Sequence, residues 1–421
     1  MAENNFDIIP LQKNLYQKKR INMLSSVRLF FKPVSFFFLT FFIFLTYNAI
    51  PQNPSSKKYE LKGYIKDLQN TWIEDFDKEW LGWNNINNRF DFKWYPDSLF
   101  TLGVGIRNQF NYGQLIQLFN SIYPQYISQY ENDPGYIDLS TILSKSSSYV
   151  LTSTFDRAYI QYSKNKWDIR AGRQRVNWGI GLVWNPNDIF NTFSYFDFDY
   201  EERPGCDALR LQYYPSYTSN FQVVSKLNAK KELTMAGLYK FNKWNYDIQF
   251  LGGVMENDVV IGSGWAGQIH GGGFRGEISW FSDKNHFLDT NGILVATIEG
   301  DYTFKNSLYS HIAFLYTSNG TTGKAGWGTF FLTQDISAKS FTRARYSLFG
   351  QLTYPLTPLV NLGLSGILNP TDKSVFYSPS VEFSLTENIG LLLMGQIFSG
   401  KKDTEFGNYG GIYYVRLKYS F

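Results

Sequence analysis

The sequence predicts an all-β fold: a transmembrane, antiparallel, up-and-down β-barrel of about 18 strands, with about 16 as the lower count. Three observations predict it, namely the composition, a two-residue alternation of apolar and polar side chains along most of the chain, and an amphipathic last strand. Aromatic residues make up 19% of the chain, yet the mean hydropathy is only −0.27. That balance is expected where apolar side chains face lipid singly and alternate with polar ones.

The formal net charge of +4 comes entirely from the beginning of the chain. Residues 1–50 contain six Lys or Arg and two Asp or Glu, so the remainder is neutral. We therefore expect no nucleic-acid partner. The chain has one cysteine, Cys206, which leaves no cysteine pair for an intramolecular disulfide and no metal-type cysteine spacing.

Residues 1–52 have the features of an export signal. Arg28 and Lys32 precede the apolar run Val34–Tyr47, whose length fits the hydrophobic region of a signal and is short for a membrane span. The cleavage motif after this run is poorly formed, so an uncleaved anchor is the alternative, and Met23 is an alternative start. We expect residues 53–421 to form the barrel, with a loop that folds inward at residues 176–206.

The alternation begins near Tyr59 and recurs along the chain. In one segment Phe90, Phe92 and Trp94 alternate with Arg89 and other charged residues. The same pattern occurs at residues 100–107, 244–250, 294–302 and 343–352. Because successive side chains of a strand point to opposite faces, each segment predicts a strand with one apolar and one polar face. A soluble sandwich would give the same alternation, so alternation alone does not decide.

The lengths of the connections favour a membrane barrel, because they alternate between tight and long. The tight connections are Tyr95–Ser98, Lys164–Lys166, Tyr214–Thr218, Lys305–Ser307, Tyr354–Pro358 and Thr386–Asn388. The long connections are Asn70–Trp83, Tyr112–Leu151, Val176–Gly205, Asp283–Asn291, Asn319–Ser340 and Ser399–Asn408. Outer-membrane barrels have short periplasmic turns at one end and longer extracellular loops at the other.

The last segment, Tyr413–Phe421, places aromatic and aliphatic residues on one face and Arg416 and Lys418 on the other. It resembles the closing strand of bacterial outer-membrane β-barrel proteins, which ends in an aromatic residue recognised by the barrel-insertion machinery. Closure also satisfies the physical requirement of lipid, since only a closed sheet leaves no unpaired backbone edge.

Two further stretches carry a resemblance, GRQRVNWG at Gly172–Gly179 and WNPNDIFN at Trp184–Asn191. Together they resemble porin-like outer-membrane proteins of diderm (Gram-negative) bacteria, in which a Gly-Arg-Gln strand end leads through a Trp-Gly turn into a long inward loop. The resemblance implies a channel in the outer membrane, surrounded by its lipid, for passive diffusion of small polar solutes without a cofactor. The assembly expected is a monomer or a homotrimer, and the resemblance specifies no substrate.

The candidate site is a constriction formed by the inward loop. Its acidic end holds Asp197, Asp199, Glu201, Glu202 and Arg203. These residues are expected to face wall arginines, namely Arg89, Arg107, Arg157, Arg170, Arg343 and Arg345, so that opposed charges set selectivity. The alternative is that the charges only fasten the loop. Residues 186–191 are predicted to start a short helix.

Two other functions are weighed against the channel. A barrel plugged by its own loops would be a structural or assembly subunit that binds a partner through its outer loops. An outer-membrane hydrolase would need an oriented nucleophile and base, and His270, His286 and His311 have no recognisable nucleophile nearby. The carboxylates fit no calcium loop, so no catalytic or metal site is predicted.

Overall fold

The computed structural model describes residues 58–77, 79–122, 127, 130, 132–287, 292–326, 336–407 and 409–421. Within these ranges the chain forms one antiparallel sheet whose first and last strands pair with each other. The export signal predicted for residues 1–52 lies outside the described residues.

The strands are β1 (Tyr59–Ile73), β2 (Leu81–Trp94), β3 (Phe100–Tyr112), β4 (Ser140–Lys145), β5 (Tyr149–Lys164), β6 (Trp167–Gln174), β7 (Cys206–Ser216), β8 (Ser219–Leu227), β9 (Leu233–Lys243), β10 (Tyr246–Met255), β11 (Asp258–Ile269), β12 (Gly272–Asp283), β13 (Ile293–Thr303), β14 (Tyr309–Thr317), β15 (Tyr346–Thr357), β16 (Val360–Asn369), β17 (Ser374–Ser384), β18 (Ile389–Ser399) and β19 (Gly411–Ser420). An α-helix, α1, spans Gln114–Ile122. None of the helices in the described ranges is both long and apolar enough to cross a membrane.

The barrel closes with 18 strands, which confirms the predicted fold class and its larger strand count. The short strand β4 is additional, because β3 pairs directly with β5 and bypasses it. β4 pairs with β5 opposite residues 150–154. β6 pairs with β5 only at residues 158–164 of β5. β4 therefore pairs with the part of that edge of β5 that β6 does not reach.

The tight connections all lie at one end of the barrel, together with Phe421, and the long connections lie at the other. We call these the turn end and the loop end. The connections at residues 228–232, 256–257 and 370–373 are short although they lie at the loop end. Within the long connection after β3, α1 and β4 were not predicted from the sequence.

The alternation of side chains between the two faces of the wall is confirmed. Phe90 and Phe92 are exposed on the outer surface, whereas Arg89, which immediately precedes Phe90, is buried on the inner side. In β19, Val415 and Leu417 face outward and Arg416 faces inward. The outer surface is therefore apolar along most strands.

Aromatic side chains form a belt on the outer surface near each end of the strands. At the turn end the belt contains Trp94, Trp167, Tyr213, Phe221, Tyr239, Phe241, Trp265, Phe274, Tyr302, Phe304, Tyr354 and Phe421. At the loop end it contains Phe110, Tyr112, Tyr149, Trp280, Phe287, Tyr316, Tyr346, Tyr377 and Tyr413.

The terminal residue completes the closure of the barrel. The backbone N–H and C=O of Phe421 both bond to Gly63, each at 2.9 Å. The ring of Phe421 lies 5.8 Å from that of Phe90, measured between centroids. Gly63 is required because a Cβ there would lie 2.7 Å from the Phe421 ring and 2.3 Å from the carbonyl oxygen of Arg89.

Candidate functional site

The connection between β6 and β7, residues 175–205, lies inside the barrel and is called the inner loop. Its buried residues are Val176, Trp178, Val183, Trp184, Asn185, Pro186, Asn187, Asp188, Ile189, Phe190, Asn191, Ser194 and Phe196. They are enclosed by inward-facing side chains of the wall, with which the apolar ones form a single core cluster.

The inner loop leaves the wall at a fixed point at the end of β6. Gly172 has a φ of 112°, which non-glycine residues rarely adopt, and a Cβ there would lie 2.3 Å from the Ala158 carbonyl oxygen. The side chain of Gln174 donates to the Ala208 carbonyl at 2.9 Å. Arg173, which interrupts the alternation, lies under residues 132–139 with Asp133 at 2.6 Å and Asp207 at 2.8 Å. Its charge therefore has partners within the protein.

Two buried carboxylates of the wall, Glu277 on β12 and Glu299 on β13, hold the first part of the inner loop; we call them the carboxylate clamp. Glu277 accepts backbone N–H bonds from Gly181 at 2.9 Å and Asn187 at 2.9 Å, and a further one from Ile180. Glu299 accepts from the backbone N–H of residue 182 at 2.8 Å and of residue 183 at 3.5 Å. Because a buried carboxylate is costly without donors, the clamp and the loop backbone stabilise each other.

The segment predicted to start a helix, residues 186–191, forms turns instead, so that prediction is wrong. The N–H of Asp188 bonds to the Asn185 carbonyl at 3.0 Å, as in a turn. The Asn187 side chain donates to the backbone carbonyl of Ser263 at 3.0 Å and accepts from the Ser279 hydroxyl at 2.7 Å. The wall residues therefore form hydrogen bonds with the Asn187 groups that would otherwise be available to cap the start of a helix.

Aromatic packing fixes the inner loop against the opposite wall. The ring centroid of Tyr195 lies 4.9 Å from that of Phe349 on β15, and Phe196 lies 4.9 Å from Phe376 on β17. The alternation predicts a polar inner face for the wall, but many inward positions around the inner loop are apolar. They are Val224, Leu238, Leu251, Val260, Phe281, Val295, Leu315, Phe349, Ile367, Phe376 and Phe398. They face the loop rather than water, so an apolar side chain is stabilising at these positions.

The acidic end of the loop meets basic residues of β1 and β19. Asp199 pairs with Lys66 at 2.7 Å and faces Arg416 at 3.5 Å. Glu201 pairs with Lys418 at 2.7 Å. In addition, Glu202 accepts a hydrogen bond of 3.0 Å from the hydroxyl of Tyr64 on β1.

Three of the predicted wall arginines line the same side of the lumen. Arg107 lies over the Tyr200 ring, with its guanidinium carbon 3.6 Å from the centroid. Arg157 donates to the backbone carbonyls of Glu202 and Arg203 at 2.6 and 2.9 Å. Arg89 pairs within the wall instead, with Asp156 at 2.5 Å and Asp91 at 2.6 Å.

The other predicted arginines do not meet the acidic residues. Arg170 faces the lumen on β6 and donates to the Gln161 side chain at 2.5 Å. Arg343 and Arg345 precede β15, which begins at Tyr346, so their prediction as wall residues is wrong. Arg345 donates to the Gly320 carbonyl at 3.2 Å within the connection between β14 and β15. The alternation continued by chance into a segment that is not a strand.

Sequence reasoning assigned no role to Lys66, Arg416, Lys418 or the carboxylate clamp. The alternation had placed Arg416 and Lys418 on the polar face of the last strand. Closure of the barrel then brings that strand beside β1, with Leu68 opposite Arg416. The contacts of these basic residues with the inner loop could therefore be predicted only by assuming that β19 closes the barrel against β1.

Burial changes the titration of two acidic residues of the inner loop. It raises the pKa of Asp188 to about 6. One carboxylate oxygen of Asp188 has no hydrogen-bond partner in the described structure, and the other is 3.4 Å from the backbone N–H of Trp178. Burial also acts to raise the pKa of Glu201, but the hydrogen bonds and charge of Lys418, together with the charges of Arg416 and Lys66, outweigh it and the pKa is lowered.

The inner loop makes a circuit of the inside of the barrel. The Trp178 side chain donates to Gln222 on β8 at 3.1 Å, and its carbonyl accepts from Gln249 on β10 at 2.7 Å. The clamp follows on β12 and β13, the aromatic contacts on β15 and β17, the ion pairs on β19 and β1, and the Arg157 contacts on β5. The loop therefore narrows the lumen at this level.

The histidines lie apart from the acidic end of the loop. His311 is 1% exposed, with Nε2 3.3 Å from Glu299 and its ring against Phe349. His270 lies in the turn before β12 with a φ of 49°.

No family model and no curated protein matches the chain. Solved structures of the same fold do. OccAB2 of Acinetobacter baumannii has a TM-score of 0.55 at 7% identity over 86% of this chain and 98% of its own. OccAB4 of the same species has 0.53 at 10% identity over 88% and 100%. OccK11 (OpdR) of Pseudomonas aeruginosa has 0.53 at 8% identity over 86% and 96%. At these identities the likeness establishes the fold alone.

Proposed function

We propose that this protein is a porin-type channel of the bacterial outer membrane, through which small polar solutes diffuse passively past the inner loop. The observation that carries the proposal is the inner loop itself, a long connection folded into a closed barrel and ion-paired to its wall. The solved structures of similar fold include Occ/OprD outer-membrane porins. No cofactor and no coupling to an energy source is needed for diffusion through a pore.

The outer surface supports the membrane location. Its apolar face is bounded by two aromatic belts, as in barrels that cross the outer membrane. A closed sheet also satisfies every backbone group that lipid cannot. The export signal proposed for residues 1–52 and recognition of Phe421 by the insertion machinery would supply the route to that membrane.

The charged side of the lumen is the route that suits a polar solute. The inner loop meets β8 to β13 through buried hydrogen bonds as well as apolar contacts, and β15 and β17 through aromatic rings. Its ion pairs are with β19 and β1, and Arg107 and Arg157 contact it from β3 and β5. The accessible charges of this side include Asp197, which is exposed, and the pair of Glu201 and Lys418, with side chains 44% and 20% exposed. Opposed charges at a constriction set selectivity, so Lys418→Glu should shift the permeability ratio of the pore toward cations.

Liposome swelling tests the channel. Proteoliposomes in isotonic sugars and amino acids of increasing size should swell at rates that fall with solute size. Liposomes that hold the same mass of heat-unfolded protein are the control. Swelling no faster than in this control, for every solute, would overturn the proposal.

A second function has one observation in its favour. The inner loop touches the wall all round and buries an apolar core, which also suits a self-plugged structural barrel that binds a partner through its outer loops. Such a barrel would pass no solute in the swelling experiment. Nothing comparable favours a hydrolase, because His311 is enclosed between Glu299 and Phe349 and cannot reach a substrate.

A further inference from the structure

One area of the outer surface is polar. Five residues form it, Asp67 and Gln69 on β1, Asn84 and Asn88 on β2, and Asn108 on β3, and we call it the outer polar patch. Their orientation follows from the alternation, because the residues beside them in sequence face inward and most are buried there: Lys66, Leu68, Asn70, Asn85, Asn87, Arg89, Arg107 and Gln109. The five patch residues themselves keep part of their surface exposed.

Across the rest of the described wall, the outward positions of the strands hold aliphatic, aromatic and small residues. The exceptions among charged or amide side chains lie at strand ends. Arg173 and Asp207 pair beneath residues 132–139. Lys164, opposite Trp167, and Lys243, beside Trp244, lie at the turn end. The outer polar patch is therefore a local feature of β1 to β3.

The patch reaches the middle of the apolar band. Asp67 is paired across the sheet with Leu417 on one side and Ile86 on the other. Leu417 lies midway along β19 between Tyr413, in the belt of the loop end, and Phe421, in that of the turn end. A carboxylate at this depth would face the centre of the hydrocarbon layer, where lipid offers no hydrogen bond.

The internal contacts of the patch leave hydrogen-bonding capacity facing outward. Gln69 donates to Asp67 at 2.6 Å, and Asn108 donates to Asn88 at 2.7 Å. A carboxylate accepts several hydrogen bonds, and an amide can donate two and accept two. Within the described part of the chain, Asp67 has no ion pair.

We propose that the outer polar patch is the contact through which copies of this chain associate within the membrane. The proposal rests on the membrane location given under Proposed function but not on the channel activity. The occupant is a second copy because donors and acceptors lie side by side on one surface, so the amides of one copy can donate to the Asp67 carboxylate of the next. The patch has no basic side chain, so it does not suit a lipid phosphate.

Exposed aromatic residues continue the contact surface beyond the strands. Phe76 and Trp80 lie in the connection between β1 and β2, directly above the patch, and are 70% and 52% exposed. Their rings are in edge contact, with centroids 6.4 Å apart. Exposed aromatic residues beside a polar surface are typical of protein interfaces.

Cysteine cross-linking in intact outer membranes tests the proposal. Asn88→Cys, oxidised with copper phenanthroline, should give a covalent band at twice the mass of the chain, because the patches of two copies face each other. Ile298→Cys, also outward-facing but on β13, is the matched control and should give none. The native Cys206 is buried and provides the background. A monomeric Asn88→Cys product, a band equal to that of Ile298→Cys, or a cross-link to a different polypeptide would overturn the proposal.

A second variant tests the chemistry of the contact. The triple substitution Asp67→Leu, Asn88→Leu and Asn108→Leu should convert the solubilised assembly to single barrels in light scattering. The control carries Ile298→Leu, Ile312→Leu and Val381→Leu and should remain assembled. Heat-modifiable migration on gels shows whether each barrel is folded, and if the triple variant fails to fold, the cross-linking decides. Wild-type protein that is already monomeric in the membrane contradicts the contact, whereas failure of every variant to enter the outer membrane contradicts the membrane location.

Discussion

Glu277 and Glu299 hold the inner loop by accepting backbone N–H groups, so removing their charge should release it. We predict that Glu277→Gln weakens the loop by about 1–3 kcal/mol, because the amide nitrogen would replace one of the two acceptor oxygens and would face the N–H of either Gly181 or Asn187. Hydrogen exchange should then speed up at residues 180–187 while the wall stays protected. Glu387→Gln, in an exposed turn, is the control. Unchanged exchange in Glu277→Gln would contradict the clamp.

Asp188 makes the stability of the inner loop depend on pH. Because burial raises its pKa from the ordinary value to about 6, the charged form is disfavoured in the folded loop. Stability is therefore greatest below the ordinary carboxyl pKa of about 4 and falls as pH rises toward about 6. Arg175, Arg203 and Lys226 moderate the effect by favouring the charge.

Hydrogen exchange of residues 176–190, corrected for the intrinsic effect of pH, measures this dependence. Protection should be higher near pH 4 than near pH 7 in the wild type, and Asp188→Asn should remove most of the difference. A wild type whose protection rises with pH would contradict the assignment.

The orientation of individual side chains could be predicted from the sequence, but their partners could not. Alternation placed Phe90, Val415 and Leu417 outside and Arg416 inside because the period of a strand is local. It did not reveal the partners of Asp199 and Glu201, since those depend on which strands the inner loop reaches.

At the scale of elements, the inner loop and the two closing strands are joined by the pair between Lys66 and Asp199. We predict that Lys66→Met lowers the free energy of unfolding by up to about 3 kcal/mol, the low end for loss of one partner of a buried pair, because Arg416 still faces Asp199. Urea titration of the heat-modifiable folded form measures the change. Lys62→Met, whose partner Glu60 is at the surface, should have no measurable effect. Equal behaviour of the two variants would show that the loop is not fastened there.

The elements were predicted unevenly. The strands and the tight turns followed from short-range patterns. In the long connection after β3, α1 was missed although Leu115, Phe119 and Ile122 recur at helical spacing, because the whole segment was interpreted as a loop. Residues 186–191 had a helix-start pattern, yet Glu277, Ser279 and Ser263 took up their polar groups. Contacts from distant strands overrode local preference there.

At the scale of the whole molecule, the terminal Phe421 closes the barrel against Gly63 and Phe90. We predict that Phe421→Ala lowers the amount of folded barrel in the outer membrane several-fold, because the ring contact with Phe90 is lost together with the aromatic residue that we propose the insertion machinery recognises. Immunoblots of outer-membrane fractions with and without heating measure it. Leu385→Ala, an exposed residue of a nearby turn, is the control, and wild-type levels of Phe421→Ala would contradict the role of the terminal residue.

If the inner loop sets passage through an otherwise open barrel, removing part of it should enlarge the pore, and single-channel conductance in planar bilayers measures this. Deletion of Phe190–Glu202 removes the aromatic and acidic contacts with β15 to β19 and β1. Deletion of Asp75–Asp77, in an outer connection, is the control. We predict small unitary conductance steps for the wild type and the control, and several-fold larger steps for the inner-loop deletion. A folded deletion variant with wild-type conductance would contradict it.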